Sequence, residues 1–593
     1  MWLRLLPGLA LLVLGCAGPD SSPSASSGPS GAEPSTPPAE QPAAFFTSVT
    51  EYAGLGDFEH VRGEFGEKWF PEIMGSGGGF LDYDGDGWLD VVLVGGGSLP
   101  SRPIREVPAI SIYRNQGDGT YRNVTEEVGL ADVRAYGMGV TAADYDEDGD
   151  PDLLLTTLNE NLLFRNDGGT FQEVGGEAGI GERSRWSTSA TFFDADRDGD
   201  LDLYVANYVR WSPQTDVECV NRAGPDYCNP RHYEGIADTY YRNDGDGTFT
   251  DATSEAGFLD GIDPVASKGL GVAELDYDQD GWSDLYVAND GGRNYLFHNE
   301  GDGTFTETAL RSGVALDRRG SPRAGMGVDV GVVDSTGEIS IFVGNFSQES
   351  VSVWRHQRRG FFDDRATVSG IGFPTQRTLT FGLGLIDVDL DTDLNLLLAN
   401  GNVIEQIATL HEGVTFRERA QLFLNRGDGT FAEANPGRGP LTEPMLARGL
   451  AYGDYDRDGD QDVLITENGG PAHLWRNDRG GEGFLRVELE GTESSQDAIG
   501  ARVLATVDGL TMERRVRGGT SYLSQSEKTL TFGLGGSRAV DTLTVEWPSG
   551  RTDRFQDVSP DQTVRLVEGA DALEPLAKPD TGAGPEDEEL VQR

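Results

Sequence analysis

Basic residues are scarce in this 593-residue chain: 47 Lys and Arg stand against 99 Asp and Glu, a formal charge of -52. A polyanion would be repelled, and no basic patch interrupts the acidity, which excludes nucleic acid as a partner. Cysteine is rarer still, with three in all, and the six histidines, His60, His232, His298, His356, His411 and His473, are scattered and read as scaffold. No zinc spacing, nucleophile elbow or phosphate-cradling glycine loop stands out. The apolar run from Leu5 to Leu14, behind Arg4, is too short to span a bilayer and reads as a secretory signal. Long segments of helical period are missing too, which points away from helical architectures.

What the chain has instead is one acidic loop written seven times. Its first copy is Asp82-Tyr-Asp84-Gly-Asp86-Gly-Trp-Leu-Asp90. Carboxylates at positions 1, 3 and 5, a glycine at 6 that lets the backbone turn, and a carboxylate at 9 suit a hard, oxygen-seeking cation, Ca²⁺ better than Mg²⁺. Four further copies keep all of these: Asp144/Asp146/Asp148/Asp152, Asp194/Asp196/Asp198/Asp202, Asp276/Asp278/Asp280/Asp284 and Asp454/Asp456/Asp458/Asp462. In the sixth loop, Asp387, Asp389 and Asp391 remain, but the glycine is Thr392 and the last acid Asn395, so weak metal binding or none is expected there. The fifth keeps only Asp334, with Thr336, Gly337 and Ser340, and is expected to hold no ion. An EF-hand is unlike this pattern, because it needs an acid at position 12, where the first copy has Leu93. An acidic surface turn is the plain alternative for any one loop; five intact copies in a fixed phase against the strands argue for about five Ca²⁺ sites. Filling them adds ten positive charges and leaves a net charge of about -42.

Around each loop the chain repeats a unit of four short strands. A small-residue strand such as Gly137-Met-Gly-Val-Thr-Ala-Ala precedes the loop and an apolar strand such as Leu153-Leu-Leu-Thr follows it. A third strand then runs into a turn such as Tyr241-Arg-Asn-Asp-Gly-Asp-Gly-Thr-Phe249, which starts the fourth; His298 and His356 replace residues of this repeated Arg-Asn pair. Loops begin at 82, 144, 194, 276, 332, 387 and 454. Seven four-stranded units fit a β-propeller, which protects its edges by closing radially, and the small inner strands suit the crowding near its axis. A linear solenoid would want capping repeats, and none is evident. Fourth strands follow third-strand turns in only six units, beginning near Tyr121, Phe171, Phe249, Phe305, Phe361 and Phe431. The strand at Phe46 is therefore predicted to complete the last blade, beside Leu474-Trp-Arg-Asn477.

The acidic loops, with Leu203-Tyr-Val-Ala-Asn207, Leu285-Tyr-Val-Ala-Asn289 and the Asn-x-Gly-Asp-Gly-Thr-Phe turns, resemble the FG-GAP and VCBS repeats of integrin-α-type propellers. Further on, Asp497-Ala-Ile-Gly-Ala-Arg502, Gly518-Gly-Thr-Ser-Tyr-Leu-Ser-Gln525, Phe532-Gly-Leu-Gly535 and Val545-Glu-Trp-Pro-Ser-Gly550 resemble the ASPIC/UnbV domain. The combination, over roughly residues 44 to 568, is similar to the bacterial relatives of the cartilage acidic protein family. Val13-Leu-Gly-Cys16 resembles the bacterial lipobox, which implies lipidation of Cys16 and an exported protein held to the cell envelope, at the outer membrane, through that anchor only. The expected organisation is a signal at 1–16, a Pro/Ser-rich disordered tether at 17–43, a seven-bladed propeller at 44–480, a small β-sandwich at 481–568 and an acidic disordered tail at 569–593. In an exported protein Cys219 and Cys228 are by default a local disulfide, with a catalytic thiol or a metal site as the alternative.

Strand order puts the acidic loops and the Gly-Asp-Gly turns on one face of the disc. The longer connections, at 56–75, 98–108, 211–238 with the cysteine pair, and 401–421, emerge on the other. The expectation is that the metal face is structural and the opposite face binds a protein or glycan, the residues from 518 to 525 being a loop or a second binding turn. The other class of function is a propeller enzyme acting on polysaccharide or another extracytoplasmic substrate, which a cluster of buried acids facing the central opening would favour.

Overall fold

Alternation of side chains and a loop or turn after every few residues leave each unit able to form only short antiparallel strands, and they pair in chain order. In the computed structural model, which describes residues 44–63, 66–97, 107–181, 185–358, 360–479 and 483–577, seven four-stranded sheets result. The second blade is representative, its strands being Gly137–Ala143, Asp152–Thr157, Leu162–Asn166 and Phe171–Glu173. The innermost strands of all blades, Gly78–Leu81, Gly137–Ala143, Ser187–Phe193, Gly269–Leu275, Gly325–Val332, Thr380–Ile386 and Ala447–Gly453, abut one another in a closed cycle. The protein is all-β, a seven-bladed propeller followed by a sandwich.

Ring closure follows the strand count. Phe46–Ser48 pairs antiparallel with Ala472–Asn477, Phe46 opposite Asn477 and Ser48 opposite Trp475, so the first strand of the fold completes the seventh blade. Phe46 is 1% exposed and packs its ring 6.0 Å from that of Trp475. Phe46→Ala removes this clasp, and a loss of about 3 kcal/mol is expected. Denaturant melts should show it as a lower midpoint with an unchanged slope.

The C-terminal sandwich is built from two four-stranded sheets. One orders Leu530–Gly533, Phe484–Glu490, Gln562–Val567 and Glu574–Leu576; the other orders Leu510–Arg515, Arg502–Val507, Val540–Glu546 and Thr552–Val558. Leu485, Val503, Leu543, Val545 and Leu566 are among the residues that fill the space between them. The strand Glu574–Leu576 corrects the expected boundary at 568, since it pairs with Gln562–Val567 and the ordered fold runs on to at least residue 577. Its three residues include Pro575, which reads as tail in sequence but is tolerated on an edge strand. Residues 1–43, with Cys16, and 578–593 lie outside the described residues.

The segment from 518 to 525 is neither a free loop nor a binding turn. It enters the propeller axis: Ser524–Gln525 adds a parallel strand to Gly78–Leu81, Gly518 bridges to Phe192 and Ser521 to Val328. Tyr522 is fully buried and donates its hydroxyl to the Met74 carbonyl at 2.8 Å. The glycines of the inner strands answer to this plug. A Cβ on Gly77 would lie 2.1 Å from the Leu523 carbonyl oxygen, and one on Gly139 would lie 2.9 Å from the Leu523 Cα.

The opposite end of the axis is closed by aromatics, several of them on the long connections expected to bind a partner. Phe70 stacks on Tyr233 at 4.9 Å and lies 5.6 Å from both Tyr208 and Trp186, while Trp69 meets Trp211 edge-on at 5.8 Å. Tyr227 donates to Glu72 Oε2 at 3.0 Å, and Cys219 is joined to Cys228. The insert at 211–238 thus packs over the channel mouth, and its tyrosines are largely spent in doing so.

Candidate metal centres

Each intact loop is shaped by its own carboxylates before any ion is considered. In the first, Asp82 accepts the Asp86 N–H at 3.1 Å and the Gly87 N–H at 2.7 Å, while Asp90 accepts the Tyr83 N–H at 3.1 Å and the Asn115 N–H at 2.7 Å. The second loop repeats the pattern, with Asp144 taking the Asp148 and Gly149 N–H groups at 3.1 and 3.0 Å and Asp152 those of Tyr145 and Asn166 at 3.1 and 2.8 Å. In the seventh, Asp454 takes the Asp458 and Gly459 N–H groups at 3.1 and 3.0 Å and Asp462 those of Tyr455 and Asn477 at 3.2 and 2.8 Å. In the third, Asp194 accepts the Arg197 N–H and Asp202 those of Ala195 and Asn243. In the fourth, Asp276 accepts the Gly281 N–H and Asp284 those of Tyr277 and Asn299. Position 4 is left-handed in each of the last four copies, at Glu147 (φ 57°), Arg197 (φ 62°), Gln279 (φ 62°) and Arg457 (φ 56°), a conformation non-glycine residues adopt only when their surroundings impose it.

The acids converge. Ligand oxygens of Asp82, Asp84 and Asp86 lie within 4.8 Å of one another, as do those of Asp144, Asp146 and Asp152, of Asp194, Asp196 and Asp198, and of Asp276, Asp278 and Asp284. Asp84 Oδ1 and Asp146 Oδ1, the same atom at position 3 of successive loops, are buried with no hydrogen-bond partner among the described residues. Burial, with like charges adding to it, pushes Asp82 up to about 6, Asp144 and Asp194 to about 7, Asp90 to about 8 and Asp152 to about 9. Orphaned oxygens within a crowd of carboxylates fit a divalent cation, and the oxygen-only donor sets of the first three loops fit Ca²⁺.

The seventh loop departs from the expected four-acid set by including a fifth carboxylate. Asp456 is half-buried at position 3 and Asp458 exposed at position 5, and between them and Asp454 the loop buries Asp460, at position 7, where the ligand pattern asks for nothing. Asp458 Oδ1 accepts the Asp460 N–H at 3.1 Å, so one oxygen of this expected ligand is spent within the loop. Burial, followed by the charges of Asp458, Asp454 and Asp456, pushes Asp460 up to about 9, and burial together with Asp456 holds Asp462 well above the usual carboxylate range. The expected ligands Asp454, Asp456, Asp458 and Asp462 therefore do share one neighbourhood, with Asp460 as the member that the spacing at 1, 3, 5 and 9 did not name.

The two degenerate loops part company. In the fifth, Arg355 pairs with Asp334 and donates to Thr336 Oγ1 at 2.7 Å, so a protein cation occupies the loop, and His356 lies 2.6 Å from Glu338. The sixth keeps the shape of the intact loops. Asp387 accepts the Asp391 and Thr392 N–H groups at 3.1 and 3.2 Å, Asn395 Oδ1 accepts from Val388 N at 3.0 Å, and Asp389 Oδ1 is buried without a partner among the described residues. Thr392 holds the glycine conformation at φ 92°.

Sequence reading gave no role to the asparagine of the repeated Arg-Asn pair, which ends the third strand in six of the seven blades, His356 standing there in the fifth. Asn115, Asn166, Asn243, Asn299, Asn425 and Asn477 each donate their side-chain N–H to a backbone carbonyl in or beside the preceding blade's loop, as Asn166 does to Tyr83 at 2.8 Å and Asn243 to Tyr145 at 2.9 Å. They lace every acidic loop but the fourth to the next blade.

A family model for FG-GAP-like repeats matches residues 82–155, 144–205, 276–337 and 407–465, and one for ASPIC and UnbV matches 491–573. The chain is an FG-GAP repeat protein with an ASPIC/UnbV domain. It is a homologue of cartilage acidic protein 1, 28% identical to the Homo sapiens protein over 355 residues, or 56% of this chain and 50% of that one. The Xenopus tropicalis protein is 29% identical over 282 residues, covering 45% of this chain and 40% of that one. The chain thus spans about half the length or less of these relatives. Among solved structures, an Agrocybe aegerita lectin that recognises non-reducing terminal N-acetylglucosamine is 15% identical, with a TM-score of 0.37 over 66% of this chain and 85% of that one.

The ASPIC/UnbV domain covers the face on which the FG-GAP loops lie. Arg486 reaches Asp454 at 3.1 Å and also pairs with Glu527, whose carboxylate accepts the Asp454 N–H at 3.0 Å. Asp497 accepts the Asp144 N–H at 2.8 Å and is paired with Lys528 at 2.6 Å. Arg515 lies 3.0 Å from the buried Glu274 and 3.7 Å from Asp276, and Arg517 pairs with the buried Asp329. Glu274 and Asp329, buried acids of the innermost strands, are therefore neutralised from the sandwich.

Proposed function

We propose that this protein is a calcium-stabilised exported lipoprotein that binds or scaffolds a protein or glycan partner through the propeller face opposite the metal loops. The FG-GAP repeats and the relationship to cartilage acidic protein 1 support an extracellular-type propeller, and the sequence around Cys16 supports a lipid anchor in the cell envelope, periplasmic or surface-exposed. Among the described residues no helix is long and apolar enough to cross a membrane.

One observation carries the choice of face. The chain covers its metal face with its own second domain and fills its axis with residues 518–525, which leaves the far-side loops as the recognition surface. Bulky apolar side chains are exposed there: Phe373 is 87% exposed between the fifth and sixth blades, Val220 77% at the tip of the disulfide-bonded insert and Val265 54% on the loop beside it. Loops of this kind on a rigid ring are where recognition concentrates.

Deleting 211–238 would unseal the channel, so substitution is the cleaner test. The variant Val220→Ser, Val265→Ser and Phe373→Ser is expected to melt within about 2 °C of the parent, since these side chains pack on little. Glycan arrays and pull-downs with the parent in Ca²⁺ should find a partner that the variant binds at least roughly tenfold more weakly. Equal capture by both would place recognition elsewhere.

A further inference from the structure

The fourth loop differs from its neighbours in one donor. At the third-strand position that leans over the loop, five of the other six blades place arginine and the sixth blade Leu424: Arg114 sits 2.8 Å from Asp84 and 3.0 Å from Asp86, and Arg355 fills the fifth loop. A guanidinium is always charged and never a ligand. In the fourth blade that position is His298, whose Nδ1 lies 3.2 Å from Asp284 Oδ1 and 3.7 Å from Asp278 Oδ2.

Two overlapping triads result. A ring nitrogen of His298 and carboxylate oxygens of Asp278 and Asp280 lie within 4.8 Å of one another, and so do oxygens of Asp276, Asp278 and Asp284. Atoms up to 4.8 Å apart can share one centre through bonds of roughly 2.1–2.4 Å. An independent mark of a missing ligand is Asp276: its side chain is only 8% exposed, yet its Oδ1 has no hydrogen-bond partner among the described residues. The only other cation pointed at the cluster among the contacts described is Arg515, 3.7 Å from Asp276 Oδ2 and committed to Glu274 at 3.0 Å. Asp278 and Asp280 are exposed, so an ion can reach the site. The ring of Tyr277 meets His298 edge-on at 5.8 Å and limits its rotation.

We propose that the fourth loop is a mixed nitrogen–oxygen site that selects a divalent transition ion such as Zn²⁺ or Co²⁺ over Ca²⁺. Neutral imidazole suits the borderline metals, whereas the all-oxygen loops suit Ca²⁺. The inference rests on the reading of these loops as cation sites, but on His298 for its selectivity. His298→Arg restores the residue of the neighbouring blades and leaves the other five histidines in place.

The test is a Co²⁺ titration of the full chain in saturating Ca²⁺, followed by visible absorption and by the ring signals of His298, with Zn²⁺ as competitor. One equivalent of Co²⁺ should bind, shift only the His298 ring and be displaced by Zn²⁺; His298→Arg should bind it roughly tenfold or more weaker with its Ca²⁺ stoichiometry otherwise kept. Identical Co²⁺ binding by parent and variant, or none by the parent while Ca²⁺ binds normally, would mean that His298 is a shorter arginine and would overturn the proposal. A parent that takes up Co²⁺ at His298 but no Ca²⁺ would instead refute the calcium reading and leave this one standing.

Discussion

Chelating Ca²⁺ should lower the melting temperature by roughly 7 °C at neutral pH. At extracellular-type affinities of about 0.1 mM and roughly 1 mM Ca²⁺, each loop contributes about 1.4 kcal/mol, and five, the fourth included when no transition ion competes for it, contribute about 7. With an unfolding entropy of about 2.1 cal/mol/K per residue, a fold of this size loses on the order of a degree for each kcal/mol. The size of the effect should also depend on pH, in a direction the aspartates fix. Asp90, raised to about 8, and Asp152, raised to about 9, are protonated in the metal-free fold at pH values where the unfolded chain has already released those protons. The metal-free protein therefore loses stability as pH rises from about 4 through those values. Ca²⁺ needs the ionised carboxylates and reverses the trend. The gap between melting temperatures in Ca²⁺ and in chelator should widen from pH 5 to pH 8. A gap that is absent, or that closes over this range, would remove the metals from the stability of the fold.

The parts of this architecture legible in the sequence are those that repeat. Asp82 to Asp90 recurs with its flanking strands, so the blade and the loop geometry can be read locally, and the Phe46 clasp follows from counting one fourth strand too few. The parts that were not legible depend on residues far apart in the chain. Nothing near Tyr522 says that its hydroxyl ends on Met74, or that the glycines at 77 and 139 are small to admit Leu523 rather than one another. Trp69 and Tyr233 look like recognition residues because they lie in long loops; that they cover each other's surroundings is a tertiary fact. The fifth loop looks merely degenerate, because Arg355 stands where most blades carry arginine; that it pairs with the one acid this loop keeps is seen only in the fold. Sequence locates a metal loop by its pattern, but whether a protein cation has taken the ion's place is settled across the blade.

The covered metal face leads to the second large effect: a chain ended at Asp478 should fail to give a stable propeller. Glu274, Asp329 and Asp454 are at most 1% exposed, and each has its cation, Arg515, Arg517 or Arg486, beyond that point in the sequence. Stranding a buried carboxylate costs about 3–5 kcal/mol, less where water can enter, and the opened axis would also lose the packing of Tyr522 and Leu523. The total is on the order of 10 kcal/mol, comparable with the whole stability of an ordinary domain. Residues 44–478 made in saturating Ca²⁺ should be insoluble or melt more than about 10 °C below the full chain. Arg486→Met and Tyr522→Ala in the full chain should each lose about 3–5 kcal/mol. Arg486→Met should lose less in Ca²⁺ than in chelator, because an ion beside Asp454 takes over part of the guanidinium's role. A truncated propeller that melts with the full chain would show that the sandwich is carried by the ring rather than built into it, and would free the metal face for a partner.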